Sequence, residues 1–417
     1  MKNINWAGNI AYSTDRVHFP ASVEQVQKIV KECRHVKALG SRHSFNRIAD
    51  NPANQLSLIH LNKVVSLDKN ARTVTVEGGM RYGELAPYLH EQGYALPNLA
   101  SLPHISIVGA CATATHGSGV KNTNLATAVS ALELVDAAGE VVSLERKKDG
   151  DYFRGAVVNL GALGIVTKLT LDLQPAFQVK QVVYRNLPMG ELEQHFMAVM
   201  SGAYSVSLFT TWQNKSINQV WMKHVGKSGP EGVNPDFYGA TLATQHMHPL
   251  EELSAEHATE QMGISGAWHE RLPHFKMGFQ PSAGEELQSE YFVPMEHGYE
   301  AMMAIEKLHE KITPYLFVSE IRAVAADDLW MSPFYKRACF AFHFTWRQEW
   351  SAVKKLLPLI EEVLDPFHAL PHWGKLFTMA PAVLQSRLSK MPDFRELMGK
   401  HDPAGKFRND FIAQYLL

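Results

Sequence analysis

Three turns built almost wholly from small residues fall within the first third of the chain: Gly40-Ser41-Arg42-His43-Ser44, the SIVG stretch that begins at Ser106, and TATHGSG at 113–119. Residues without bulk let backbone N–H groups come close to phosphate oxygens. Any one of these turns could equally be an ordinary tight turn; the combination is more specific. The two commonest phosphate-binding loops are missing. No G-x-x-x-x-G-K-[ST] occurs, and no G-x-G-x-x-G lies between a first strand and helix, so neither a Walker loop nor a Rossmann site is expected.

The turns sit among alternating strand and helix signals. Residues 23–30 (VEQVQKIV) space their apolar side chains helically, with Ser22 as N-cap. VKALGSRHSFN reads as a short strand entering the first turn. Residues 56–61 and 73–76 read as strands, and 82–92 as a helix stopped by Gly93. Residues 131–135 and 141–144 form a hairpin turning at Ala138-Gly139, and 161–173 a long alternating strand. Beyond Pro175 the chain is richer in aromatics, His and Met. Strands are predicted at 205–212, 290–293, 317–324 and 341–346, helices at 299–312 and 351–364, and a surface loop at 227–249. This gives three parts: 1–175, 176–377, and a return to the first domain at 378–417.

A length of 417 residues and a hydrophobic content of 46% allow two or three domains with real cores. Lys plus Arg (40) and Asp plus Glu (42) nearly cancel, which gives no electrostatic case for nucleic acid or an anionic membrane. Three cysteines (Cys33, Cys111, Cys339) with no C-x-x-C argue against a disulfide scaffold or a zinc ribbon. No apolar run suits a signal peptide or a bilayer span, so a soluble, cytoplasmic protein is expected; no evident apolar surface helix argues for obligate assembly, so a monomer is expected. No metal is expected either. His246-Met247-His248 lacks a nearby carboxylate. His269-Glu270 with His274 is one residue too long for H-E-x-x-H, and Pro273 interrupts that helix. A Ser-hydrolase elbow, G-x-S-x-G, is not found.

The segments ALGSRHSFN, LPHISIVGACATATHGSG, GALGIVTKLTL and DPAGKF resemble the vanillyl-alcohol-oxidase type of FAD enzyme. With SVSLFT, WHERLPHF, LQSEYFVP, SEIRAV, HFTW and PHWGKLFT, the resemblance to sugar-alcohol (alditol) oxidases covers nearly the whole chain. It implies an α+β fold: an FAD-binding domain of two subdomains, and a substrate-binding domain whose antiparallel sheet caps the flavin. It implies FAD, attached covalently through His43, although a turn histidine beside noncovalent FAD is the alternative. Gly40, Ser41, Arg42, His43, Ser44, Ser106, Ala114, Thr115, His116, Gly117 and Val166 match cofactor-lining positions. Val166 could instead be plain strand core. Relatives often carry Gly where this chain has Arg42.

On the substrate side, Glu320 and Arg322 lie two apart on a predicted strand and share a face, as do His343 and Thr345. A structural ion pair and a solvated face would explain that spacing equally well. Lys375, in PHWGKLF, reads either as a desolvated amine or as a surface lysine. The resemblance matches Ser106, Glu320, Arg322, His343, Thr345 and Lys375 to substrate contacts. It implies oxidation of the terminal hydroxyl of a polyol such as xylitol or sorbitol, with oxygen reduced to hydrogen peroxide. His343 is the expected base; Lys375 and Arg322 would steady the developing alkoxide. The alternatives are an aldonolactone oxidase or dehydrogenase, and a noncatalytic carbohydrate-binding protein.

Overall fold

A computed structural model describes residues 3–229, 233–278 and 285–417. Three sheets of three or more strands organise them, with a two-stranded pair, Tyr94–Ala95 with Gln174–Pro175, beside them. Val17–His18, Gln55–Leu56 and Lys37–Ala38 form a small parallel sheet, with Gln55–Leu56 in the middle. Beside it lies a five-stranded antiparallel sheet in the order Val64–Asp68, Thr73–Glu77, Ile165–Asp172, Val129–Val135, Val141–Glu145. Helix Val23–Glu32 starts where expected: Ser22 accepts from the Gln25 N–H. The strand expected at 56–61 ends after Leu56, because Leu61 N–H turns back to Leu58 O. Here Gly79 is indispensable. A Cβ on it would stand 1.9 Å from Leu58 O, and backbone cannot yield as a side-chain tip can. Gly79→Ala is therefore expected to destabilise the protein by about 1–3 kcal/mol, seen as a lower thermal midpoint of the flavin-loaded protein.

The third sheet has nine strands, all drawn from residues between Gln178 and Pro371. Its central strands run Gln178–Pro188, Ser216–Val225, Ser205–Thr210, Leu316–Val324, Cys339–Arg347, Glu286–Pro294, every neighbour antiparallel. Strict alternation gives this sheet two unlike faces. On Cys339–Arg347, Phe340, Phe342, Phe344 and Trp346 are fully buried in an apolar layer with Val353, Leu357 and Ile360 of helix Trp350–Leu364. Burying such side chains is worth roughly 1.5–3 kcal/mol each. The opposite face carries His343 and Thr345. The helix expected at 299–312 is broken into Gly298–Glu306 and His309–Ile312. Residues 230–232 of the expected surface loop lie outside the described residues. No described helix is long and apolar enough to cross a membrane.

The last forty residues return to the first sheets. Phe394, Leu397, Phe411 and Ile412 join the core that contains Leu132 and Phe153. Val36 N–H bonds Lys406 O, and Lys37 Nζ donates to Phe407 O as well as to Leu160 O and Gly161 O.

Candidate active site

One cavity of about 580 Å³ runs from the small-residue turns to the polar face of the nine-stranded sheet. Gly40, Ser41, Arg42, His43, Ser44, Ser106, Thr115, His116 and Val166 line it at one side; Glu320, Arg322, His343, Thr345 and Lys375 line it at the other. Ala114 and Gly117 do not. Ala114 is buried with φ of +52°. Gly117 lies against Asn98 and Leu99, where a Cβ would come within 2.2 Å of Asn98 Oδ1. Both shape the turn rather than the cavity wall.

The turn at 40–44 suits a phosphate-bearing cofactor. From Gly40 to Ser44 the backbone N–H groups have no acceptor among the described residues. Such a run of unpaired donors on a cavity wall is an anion nest. Arg42 takes φ of +63°, the left-handed region where glycine is at ease, so the Arg-for-Gly departure leaves the turn's shape intact. His43 lies under Trp6, ring centroids 5.3 Å apart and 18° from parallel. Its Nδ1–H donates to Ser41 O at 2.9 Å, which leaves the lone pair on Nε2. Burial pushes the His43 pKa down to about 4, so the ring is neutral and nucleophilic at neutral pH.

The other side is organised by a residue the sequence reading passed over. Glu290 is wholly buried. Its Oε1 accepts from Arg322 Nη2 at 2.9 Å and lies 3.3 Å from His116 Nε2; its Oε2 accepts from Lys375 Nζ at 2.7 Å. Burial opposes its ionisation, yet Lys375, His116 and Arg322 hold its carboxyl well below the usual range. Lys375 Nζ also donates to His343 Nδ1 at 2.7 Å, and His343 Nε2 meets Thr345 Oγ1 at 3.0 Å. Burial and the Lys375 charge press the His343 pKa down to about 3. Glu320 lies 3.5 Å from Arg322 Nε and 2.7 Å from His274 Nε2, both through Oε1. Glu320 Oε2 has no hydrogen-bond partner among the described residues, whereas Arg322 Nε is fully buried and lies against Glu320.

Register explains the assembly. Glu290 is opposite His343, and His343 opposite Glu320, on three adjacent strands, while Gln288 is opposite Thr345. The two sides are clamped together: Phe45 N–H bonds Gly374 O, and Asn46 Nδ2 donates to Trp373 O and Lys375 O. The loop carrying Lys375 is thereby fixed to the turn carrying His43.

The family comparisons agree with this geometry. Residues 14–145 match the model described as FAD binding domain, and 279–415 the model described as D-arabinono-1,4-lactone oxidase. The chain is 45% identical to an alditol oxidase of Streptomyces sp. over 419 residues, covering 99% of this chain and 98% of that one. It belongs to the alditol oxidase family of FAD enzymes, of the vanillyl-alcohol-oxidase type. An L-gulono-1,4-lactone dehydrogenase of Mycobacterium tuberculosis is 29% identical over 435 residues, covering 99% and 98%. The fold is also that of a cholesterol oxidase from B. sterolicum, with a TM-score of 0.80 at 14% identity over 100% of this chain and 96% of that one. Within the alditol oxidase family, FAD has a fitting seat here in the unpaired N–H groups of the 40–44 turn.

Proposed function

We propose that the protein oxidises the terminal primary hydroxyl of an open-chain polyol, such as xylitol or sorbitol, to the aldehyde. The carbinol carbon gives up a hydride and the hydroxyl a proton; oxygen takes both electrons and becomes hydrogen peroxide. The observation that carries this reading is the inward face of the nine-stranded sheet. The Arg322 guanidinium, an acceptor with no hydrogen-bond partner among the described residues (Glu320 Oε2) and a hydroxyl (Thr345) line the cavity together beside the Lys375–His343 pair. A polyol presents a row of groups that each donate and accept, and such a face matches it. Bound FAD supplies the two-electron acceptor that these side chains lack.

Lys375 and Arg322 aim positive charge at the site of a developing alkoxide. The proton passes to the Lys375–His343 pair. Their nitrogens share one proton across 2.7 Å, so the pair titrates as a unit. Glu320, Arg322, Ser106 and Thr345 orient the remaining hydroxyls. The domain division at 175 and 377 belongs to the same reading, with residues 176–377 presenting the substrate to the turns.

His43 is assigned the covalent flavin link, on its neutral ring, its free Nε2 and its place on the cavity wall. Acid-precipitated wild-type protein is expected to keep its yellow colour in the washed pellet, and His43→Ala to lose it to the supernatant. Peroxide release with xylitol, sorbitol and L-gulono-1,4-lactone tests the reaction. Faster turnover of the polyols supports it, turnover of the lactone alone replaces it with a lactone oxidase, and a colourless folded protein removes the enzyme reading altogether.

A further inference from the structure

Glu320 can grip a substrate hydroxyl only if its carboxylate is ionised and turned so that one oxygen is free. Behind it lies a buried pair that no step above uses. His274 Nε2 is 2.7 Å from Glu320 Oε1, and His274 Nδ1 is 3.3 Å from Lys223 Nζ. All three side chains are buried.

The tautomer of His274 follows from Lys223. Three carbonyl oxygens, of Arg271, Leu272 and Pro273, surround Nζ at 2.7, 2.6 and 2.9 Å. Three acceptors need three N–H donors, and only the ammonium form has them. Burial presses Lys223 towards the neutral amine and Glu320 opposes it; the three carbonyl dipoles side with the charge. An ammonium has no lone pair and its three N–H groups are taken by the carbonyls, so the imidazole nitrogen 3.3 Å away presents its lone pair, not an N–H, to the positive charge. The ring proton is then on Nε2, where it donates to Glu320. The ring is held in place: Phe209 and Trp221 pack edge-on against it at 5.5 and 5.3 Å, and the backbone N–H of His274 is bonded to Ser101 O.

We propose that His274, fixed by Lys223, is the positioning residue of the polyol site. It occupies Oε1 of Glu320 and leaves Oε2 for a substrate hydroxyl. Burial, with Lys223 adding to it, holds the His274 pKa down to about 4, so the ring stays neutral through the working range. The charged and titratable groups facing His274 and Lys223 are Glu320 and Arg322 on one strand and Arg271 on the segment before His274, with His343 on a third element acting on Glu320. Since Glu320 is held below its usual range partly by His274, loss of that donor lets its pKa rise.

The inference rests on the polyol reading for its kinetic consequence but not for its geometry, and the test separates the two. In the flavin-loaded full chain with ¹⁵N-labelled histidines, assigned through His274→Gln, the His274 ring is expected as the neutral Nε2–H tautomer at pH 7. An Nδ1–H tautomer or an imidazolium overturns the proposal. In steady-state assays, His274→Phe is expected to raise KM for xylitol about tenfold, one lost hydrogen bond to a charged group. The acid limb of kcat/KM should also move to higher pH, with kcat changed much less. His274→Gln, which restores an N–H donor, is expected to recover both the KM and the limb. If the two variants, matched in flavin absorbance and thermal midpoint, are equally impaired or equally normal, the positioning role is refuted. If the wild type oxidises no polyol, the polyol reading falls and the tautomer measurement decides this one alone.

Discussion

Replacing Glu290 by Leu is expected to lower the stability of the folded protein by about 3–5 kcal/mol, the usual cost of breaking a buried ion pair from one side, and to abolish polyol oxidation. The reason lies in what Glu290 leaves behind. Arg322 is a buried cation and Lys375 a half-buried one, and each donates to a different oxygen of this one carboxylate. Leu leaves Lys375 without its paired carboxylate and Arg322 with Glu320 alone, at 3.5 Å. Denaturant unfolding of flavin-loaded protein reads the effect as a lower midpoint, and Glu290→Gln should fall between wild type and Leu because it keeps an acceptor. The pH dependence has a definite sign. A carboxyl held below its unfolded value of about 4.3 adds stability above that pH and loses it as the pH falls towards the folded value. Wild type should therefore weaken from about pH 5 downward, and Glu290→Leu should show a shallower decline. Equal midpoints for wild type and Leu would refute the idea that this carboxylate holds the site together.

The second large effect concerns the proton. His343→Ala should slow flavin reduction by xylitol about 10²–10⁴-fold, the range for losing a general base, while leaving flavin content unchanged. A ring whose pKa is about 3 is a feeble base alone; its coupling to Lys375 is what makes the pair competent. Lys375→Met tests that coupling. Part of the depression of His343 comes from the Lys375 charge, so removing it lets the histidine pKa rise. The rate then begins to fall at a higher pH on the acid side than in wild type, beyond the general loss from the missing cation. Stopped-flow reduction followed at the flavin band across pH gives both limbs. An acid limb that stays in place in Lys375→Met would show that the two nitrogens do not share the proton.

Much of this was open to reading from residues. The Ser22 cap, the helix to Glu91 closed by Gly93 at φ of +84°, and the alternating HFTW strand all follow local rules that the fold keeps. The long strands Gln178–Pro188 and Ser216–Val225 escaped. Both are buried along most of their length, so neither alternates apolar with polar residues cleanly. Glu290 escaped for a different reason. The local pattern predicts a strand starting there, whereas it begins at Glu286. With the earlier start, Glu286, Gln288 and Glu290 fall on one face and Leu287, Tyr291 and Val293 on the other, and a row of polar residues opposite apolar ones is a site signal. His274 was weighed only as a metal ligand, because nothing local links it to Glu320, which is 46 residues further along. The spacing of Glu320 and Arg322 leaves an ion pair and a substrate grip as rival accounts; the fold shows the ion pair, with Arg322 between Glu290 and Glu320, and the grip stands as a proposal.

The return of the chain's end to its beginning bears on the order in which the molecule can be made. A ribosome releases residue 371 before any of the last forty, so every strand of the nine-stranded sheet is available to fold while the cofactor half is still open. That half then waits for its final partners. Asn409 must arrive to donate to Arg47 O, Ile48 O and Asp50 O, just after the His43 turn, and Phe407 to accept from Lys37. Flavin capture is thereby expected late in synthesis, and a chain cut short near its end would keep its substrate face and lose the ties that brace the His43 turn from behind.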